Sequence, residues 1–218
     1  CAYEYRKNLG SELAKENDIN ADIVVPVPDS GVPAAIGYAE QAKKPFQLGL
    51  IRNHYVGRTF IEPTQNIRSL GVKLKLSSTK SIVKNKSIIL IDDSLVRGTT
   101  CHKIVKMLYE SGAKEVHVRI ACPEIKYPDF YGVDMPTKDE LLANQRTIEQ
   151  MTKYIKATSL KFLSLDGLYN ALTGKLRNSN YPYFSDHYFT GDYPIKPKDN
   201  IEGLKVTQLS LLSGKSNN

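Results

Sequence analysis

Two adjacent carboxylates, Asp92 and Asp93, follow the apolar run Ile88 to Ile91 and lead through Ser94, Leu95, Val96 and Arg97 into Gly98, Thr99 and Thr100. A continuous apolar run that ends on acids marks the carboxyl end of a buried strand, the place where open α/β sheets bind ligands. Carboxylates there accept hydrogen bonds from ribose hydroxyls and hold Mg²⁺ directly or through water. The glycine turn opens a helix, and free backbone N–H groups with two hydroxyls at a helix start bind a phosphate monoester. Taken bare, an Asp-Asp pair after a strand is more often only the cap of the next helix.

Other residues with chemical potential lie upstream. The run VVPVPDSGVP, Val24 to Pro33, sets Asp29, Ser30 and Gly31 at the mouth of a helix, which by itself is an ordinary cap. The run IRNHYVGRTFIEP, Ile51 to Pro63, carries Arg52, Tyr55 and Arg58 around Gly57; isolated, such a stretch reads as a solvated surface loop. Lys73 and Lys75 alternate, as on the exposed face of a strand. An N-terminal cysteine can act as a nucleophile with its own amine as base. Here Ala2-Tyr3-Glu4-Tyr5 gives Cys1 no glycine-rich strand, so the chain is expected to be a fragment cut from something longer.

These residues need elements to hold them. Tyr5, Leu9 and Leu13 recur every four residues between charges, predicting an amphipathic helix from Tyr3 to about Asn17. Asp22 to Val27 is a β-branched run ending at prolines, followed by a tight turn and a helix from Val32 to Tyr38 with proline in its first turn. Phe46 to Ile51 predicts a second short strand. Gly57, Pro63 and Gly71 interrupt both periods from Arg52 to Leu76, predicting a long functional loop with at most a short helix after Pro63. Ser87 to Ile91 predicts a buried strand, Thr100 to Ser111 a helix stopped by Gly112, and Glu115 to Ala121 another strand. Further on come loops, a charged helical stretch from Lys138 to Ile155, a strand from Leu160 to Leu163 and a helix from Asp166 to Leu172. Alternating strands and helices imply an α/β fold with a central, mostly parallel sheet flanked by helices. The division expected is a main domain over residues 1–175 and a helical or irregular C-terminal extension over 176–218, disordered from Ser213 to Asn218.

The 218 residues, 41% of them hydrophobic, suffice for one packed α/β core. A net charge of +7 is spread along the chain with no basic helix or nucleic-acid motif, and a small polyanionic substrate accounts for it as well. No apolar run reaches the length of a membrane span and no export signal is visible, so neither nucleic acid nor membrane is expected as a partner, and the expected location is cytoplasmic. Cys1, Cys101 and Cys122 are scattered without a CxxC and are expected to be reduced thiols.

The thirteen residues IILIDDSLVRGTT resemble the signature loop of the type I phosphoribosyltransferases, and VVPVPDSGVP resembles the pyrophosphate loop of that fold. More specific is IRNHYVGRTFIEP, which is similar to the flexible catalytic loop of the glutamine phosphoribosylpyrophosphate amidotransferase family. The resemblance continues through YEYRKNLG (Tyr3 to Gly10), LGVKLKL (Leu70 to Leu76), ACPEIKYPDFYGVDMP (Ala121 to Pro136) and FTGDYP (Phe189 to Pro194). It implies the C-terminal phosphoribosyltransferase half of that family: a cytoplasmic enzyme of purine synthesis that joins ammonia-derived nitrogen to phosphoribosyl pyrophosphate, releasing diphosphate.

By that resemblance Ser94 to Thr100 hold the 5′-phosphate, Ser30, Asp92 and Asp93 lie near Mg²⁺, and Asp29 to Gly31, Arg58, Lys73 and Lys75 face the diphosphate. Arg52, Tyr55 and Arg58 close over the site, exclude water and protect the activated sugar. The family's N-terminal glutaminase domain, with its catalytic cysteine, has no counterpart in these residues, so ammonia would come from a separate or missing portion. Purine nucleotide inhibitors and a homo-oligomeric complete enzyme are also implied. Some members carry an iron–sulfur cluster on cysteine thiolates; Asp129, Ser185 and Tyr188 stand at those positions, and no cluster is expected.

Two other readings remain on these residues. One is a regulatory module that binds phosphoribosyl pyrophosphate without catalysis, which has less need of a closing loop. The other is a nucleobase phosphoribosyltransferase, which needs a hood shaped for a planar base where this chain has Pro123 to Pro136.

Overall fold

The computed structural model describes residues 1–53, 76–133, 137–178 and 184–195. Tyr55, Arg58, Lys73, Lys75, the expected helix after Pro63 and the final stretch Ser213 to Asn218 lie outside the described residues.

Strands β1 (Ile23–Pro26), β4 (Ser87–Asp92), β5 (Glu115–Ile120) and β6 (Ser159–Phe162) form one parallel sheet in the order β1-β4-β5-β6. The continuous apolar stretches of β1 and β4 are buried on both faces, as strands of a parallel sheet between helices are, whereas the edge strand β6 alternates and exposes Lys161. Alternation along β4 assigns the faces: Ile88 and Leu90 pack with helix α4 (Thr99–Glu110) and α6 (Ile148–Ile155), while Ile89 and Ile91 pack with α1 (Ala2–Asn17) and α2 (Val32–Ala42). Register then places the site. Pro26 pairs with Ile91, so the chain leaving β1 at Val27 emerges beside Asp92 and Asp93, and Val27 N donates to Ile91 O at 2.8 Å.

Helix α1 forms as expected, but its buried face is Gly10, Leu13 and Ala14, whereas Tyr5 is 52% exposed. The cause is close helix packing. A methyl group on Gly10 would overlap the Ala34 carbonyl, and one on Gly37 would overlap the Lys7 carbonyl, so two glycines let α1 and α2 touch backbone to backbone. Buried Arg119, on β5, donates from Nε to Asn17 O at 3.0 Å and satisfies a carbonyl at the end of α1.

The expected strand from Phe46 to Ile51 is corrected. Only Phe46 bridges to Val24; the chain then turns at Gly49, and β2 (Leu50–Arg52) pairs antiparallel with β3 (Leu76–Ser78) in a separate two-stranded sheet. Thr79 N donates to Gly49 O, tying the base of that ribbon to the short helix α3 (Lys80–Val83).

The single helical stretch expected from Lys138 to Ile155 is also corrected. It is a 3₁₀ turn (Lys138–Glu140), a one-turn α5 (Leu142–Gln145) and α6, separated by extended Leu141 and Arg146. Leu141 and Leu142 are buried and Leu142 N donates to Val96 O at 2.9 Å, so tertiary contact breaks the helix there. Helix α6 restarts on a capping box in which Thr147 and Gln150 exchange hydrogen bonds.

Helix α7 (Leu165–Thr173) begins on the Ser164 cap and packs against α1, where Glu16 accepts from both the N–H and the hydroxyl of Ser164. The following chain returns to it. Phe184 stacks on Tyr169 at 4.5 Å, and buried Asp186 accepts from Tyr169, Arg177 and Thr190 before the short helix α8 (His187–Thr190). Among the described residues no helix is long and apolar enough to cross a membrane.

Candidate active site

Two loops at the carboxyl ends of β1 and β4 meet in a cleft of about 410 Å³. Ser30 and Asp92 line it, together with the whole run from Ser94 to Cys101. Gly98 adopts φ +74° and turns the chain into α4, a backbone geometry glycine takes without a side-chain penalty. Behind it a β-carbon would come within 2.7 Å of Leu142 Cδ2 and 3.2 Å of Tyr154 Cε1. The α5–α6 segment therefore buttresses the turn at Gly98, with His102 Nδ1 2.9 Å from Tyr154 O and the Arg146 guanidinium 4.7 Å above the Tyr154 ring. Thr99 and Thr100 are exposed at the start of α4, beside N–H groups that no side chain caps. Such an uncapped helix start can accept an anion.

Asp92 and Asp93 stand where β4 ends. Asp92 Oδ1 accepts from Asp93 N at 3.0 Å, and Ser94 donates its hydroxyl to Asp93 Oδ1 at 3.3 Å. Burial, and then the neighbouring Asp93 charge, push the Asp92 carboxyl up to about 8. A carboxyl strained in this way gains from a cation or from donor hydroxyls. The adjacent thiols are held protonated: burial and the nearby carboxylates raise both Cys101 and Cys122 far above the ordinary thiol range.

The β1 loop supplies the opposite wall. Gly31 sits so close to β4 that a β-carbon would lie 2.6 Å from Ile91 O, which explains the glycine better than loop freedom does. Asp29, following a cis peptide bond after Pro28, projects a half-exposed carboxylate that accepts from Arg52 Nη1 at 2.8 Å. Arg97 points its guanidinium to Glu140 Oε2 at 2.7 Å, both side chains being more than half exposed.

A second, smaller compartment of about 240 Å³ lies beside the cleft on the Asp93 side. It shares Ser30 and Ser94 with the first and adds Asp93, while its walls come from Leu9, Ile125 and Phe189 among others. Asp92 thus belongs to the polar cleft and Asp93 to the largely apolar one. Sequence reasoning missed this compartment, including Arg6 and Phe189, because its walls come from α1, the β5 exit and α8, which meet only in the fold.

Asp129, Ser185 and Tyr188 do converge, around buried His187. Its Nδ1 lies 2.7 Å from Ser185 Oγ and its Nε2 2.9 Å from Asp129 Oδ1, which also accepts from Tyr188 OH at 3.0 Å. Burial alone would raise the Asp129 carboxyl, but the N–H groups of Val133 and Tyr131 with Tyr188 and His187 hold it down to about 2. This network fastens α8, and with it the Tyr188 and Phe189 wall of the second compartment.

Residues 6–129 match the phosphoribosyl transferase domain model. The amidophosphoribosyltransferase of Rhizobium etli is 57% identical over 97% of this chain and 43% of its own length; that of Staphylococcus aureus Mu50 is 51% identical over 87% and 38%. A solved structure described as glutamine phosphoribosylpyrophosphate amidotransferase from B. subtilis complexed with ADP and GMP superposes with a TM-score of 0.81 at 47% identity, covering 91% of this chain and 44% of that one. The chain therefore spans less than half the length of these relatives. It belongs to the phosphoribosyl transferase domain family and corresponds to the phosphoribosyltransferase portion of the amidophosphoribosyltransferases.

Proposed function

We propose that this chain transfers a phosphoribosyl group from phosphoribosyl pyrophosphate to ammonia, giving phosphoribosylamine and diphosphate at the entry to purine synthesis. The observation that carries the reading is the division of the site at the carboxylates: an anion cradle on the Asp92 side and a small apolar compartment on the Asp93 side. A sugar phosphate fills the first, and a small uncharged nucleophile suits the second. Similarity to amidophosphoribosyltransferases over nearly the whole chain supports the choice of nitrogen as acceptor.

In this reading the N–H groups and hydroxyls of Gly98, Thr99 and Thr100 hold the 5′-phosphate. Asp92 and Asp93 accept from the ribose hydroxyls, and Asp29 to Gly31 with Arg52 face the diphosphate. Tyr55, Arg58, Lys73 and Lys75, outside the described residues, complete the closing loop. The protein's main contribution is to orient sugar and nucleophile and to exclude water. Ammonia carries its own lone pair, so no strong general base is required.

The donor set of Ser30, Asp92 and Asp93 fits Mg²⁺, a hard cation that takes one or two carboxylates and completes its shell with water and substrate phosphates. When bound, the ion neutralises the departing diphosphate. The positions Asp129, Ser185 and Tyr188 offer oxygens rather than thiolates and do not fit an iron–sulfur cluster. The ammonia is supplied by a glutaminase portion or partner, and purine nucleotides, whose ribose phosphate resembles the substrate's, compete at the same cradle.

The test is diphosphate release from phosphoribosyl pyrophosphate and Mg²⁺, with ammonium, with a purine base, or with neither. The expected result is release that depends on ammonium. Binding without release, or release only with the base, overturns the proposal.

A further inference from the structure

We infer that Arg6 selects the uncharged form of the nitrogen donor, its guanidinium keeping ammonium ions out of the second compartment. The inference rests on the ammonia-transfer reading and adds to it a residue that sets which protonation state enters.

Only free ammonia has the lone pair that attacks the sugar, whereas at neutral pH an alkaline amine is almost wholly protonated. The compartment must therefore discriminate between two species that differ by one proton. Its apolar walls, Leu9, Ala34, Ile125 and Phe189, disfavour any charge. That barrier is undermined by Asp93, which lies against the same space and would draw a cation in wherever bound Mg²⁺ does not fully offset its charge. An ammonium ion held on Asp93 would be unreactive and would block the site.

Arg6 is the one cation among the described residues lining this compartment, as Asp93 is the one anion. It sits on the solvent-exposed side of α1 and makes no ion pair among the described residues, so its charge is not spent on a neighbour. A guanidinium stays protonated throughout the working pH range. At the mouth of the compartment it opposes the entry of a second cation while leaving a neutral molecule unaffected. Lys7, the next residue, is already paired with Glu40.

The probe is potassium, which has the charge and about the size of ammonium but cannot react. Diphosphate release is measured against ammonium concentration at saturating phosphoribosyl pyrophosphate and Mg²⁺, in potassium chloride or in N-methylglucamine chloride of equal ionic strength. In the unmodified chain and in Arg6→Lys, exchanging the two salts should leave the KM for ammonia unchanged. In Arg6→Met, potassium should raise that KM about fivefold or more, competitively and with kcat preserved. An Arg6→Met enzyme indifferent to potassium overturns the inference. So does a rise confined to the KM for phosphoribosyl pyrophosphate, which would make Arg6 a contact for the anionic substrate. Absence of ammonium-dependent release from the unmodified chain would instead overturn the ammonia-transfer reading itself, and is seen before any variant is compared.

Discussion

Arg52 Nη1 lies 2.8 Å from Asp29 Oδ2, joining the end of β2 to the loop after β1, which borders the larger cleft at Pro28 and Ser30. Both side chains are more than a third exposed, so the pair adds under about 1 kcal/mol to stability. In the proposed reading its value is in orientation, with Asp29 holding the guanidinium toward the diphosphate. Asp29→Asn should leave the melting temperature within a few degrees and raise the KM for phosphoribosyl pyrophosphate roughly tenfold, the loss of one charge-assisted contact. An unchanged KM would place Arg52 outside the binding site.

Asp92 predicts a coupling between pH, stability and Mg²⁺. Its folded carboxyl titrates near 8 against an ordinary 3.8. Between those values the folded protein retains a proton that the unfolded chain has lost, so stability falls as pH rises through this window. Mg²⁺ needs the anion, so it displaces the proton and binds more tightly as pH approaches 8. Melting curves with and without Mg²⁺ should diverge as pH rises across this window, and Asp92→Asn should remove the divergence. A stabilisation by Mg²⁺ that does not vary with pH would contradict this account of Asp92.

Gly98→Ala tests the phosphate cradle. The new methyl meets a positive φ and Leu142 Cδ2 at 2.7 Å. The conformational penalty alone is about 1–2 kcal/mol, a drop of about 4 °C in melting temperature for a chain of this size. The loop should move as well, weakening the binding of inorganic phosphate measured by calorimetry. A variant with intact phosphate affinity would show that the turn at Gly98 does not shape the site.

Asp186 is 1% exposed and accepts from Arg177, Tyr169 and Thr190. Asp186→Ala removes the buried partner of Arg177 and leaves it the exposed Asp192, so the cost falls below the ~3–5 kcal/mol of a fully unpaired buried charge, at about 2 kcal/mol. Because α8 carries two walls of the second compartment, the KM for ammonia should rise further than that for phosphoribosyl pyrophosphate. Equal effects on both would assign Asp186 a purely global role.

The turn after β4 was legible because its pattern is local. An apolar strand, two acids and a glycine turn into a helix specify their own geometry, and Asp92 and Ser94 to Thr100 line one cleft, with Asp93 facing the neighbouring one. Register between β1 and β4 then brings Ser30 alongside, something the sequence suggests only through family likeness. What escaped detection depends on distant segments. The break at Leu141 follows from a hydrogen bond to Val96, and the exposure of Tyr5 follows from contact at Gly10 and Gly37. Arg6 looks like any charge on an amphipathic helix until α8 folds back beside it.

The central claim is that nitrogen from ammonia becomes bonded to the anomeric carbon of ribose 5-phosphate in this cleft. The most direct measurement supplies isotope-labelled ammonium with phosphoribosyl pyrophosphate and Mg²⁺, and follows the product by NMR for coupling between the labelled nitrogen and that carbon. The account predicts a coupled signal that grows with diphosphate release and is lost in Asp93→Asn. Diphosphate release accompanied only by ribose 5-phosphate, with no nitrogen–carbon bond at any time point, would contradict it.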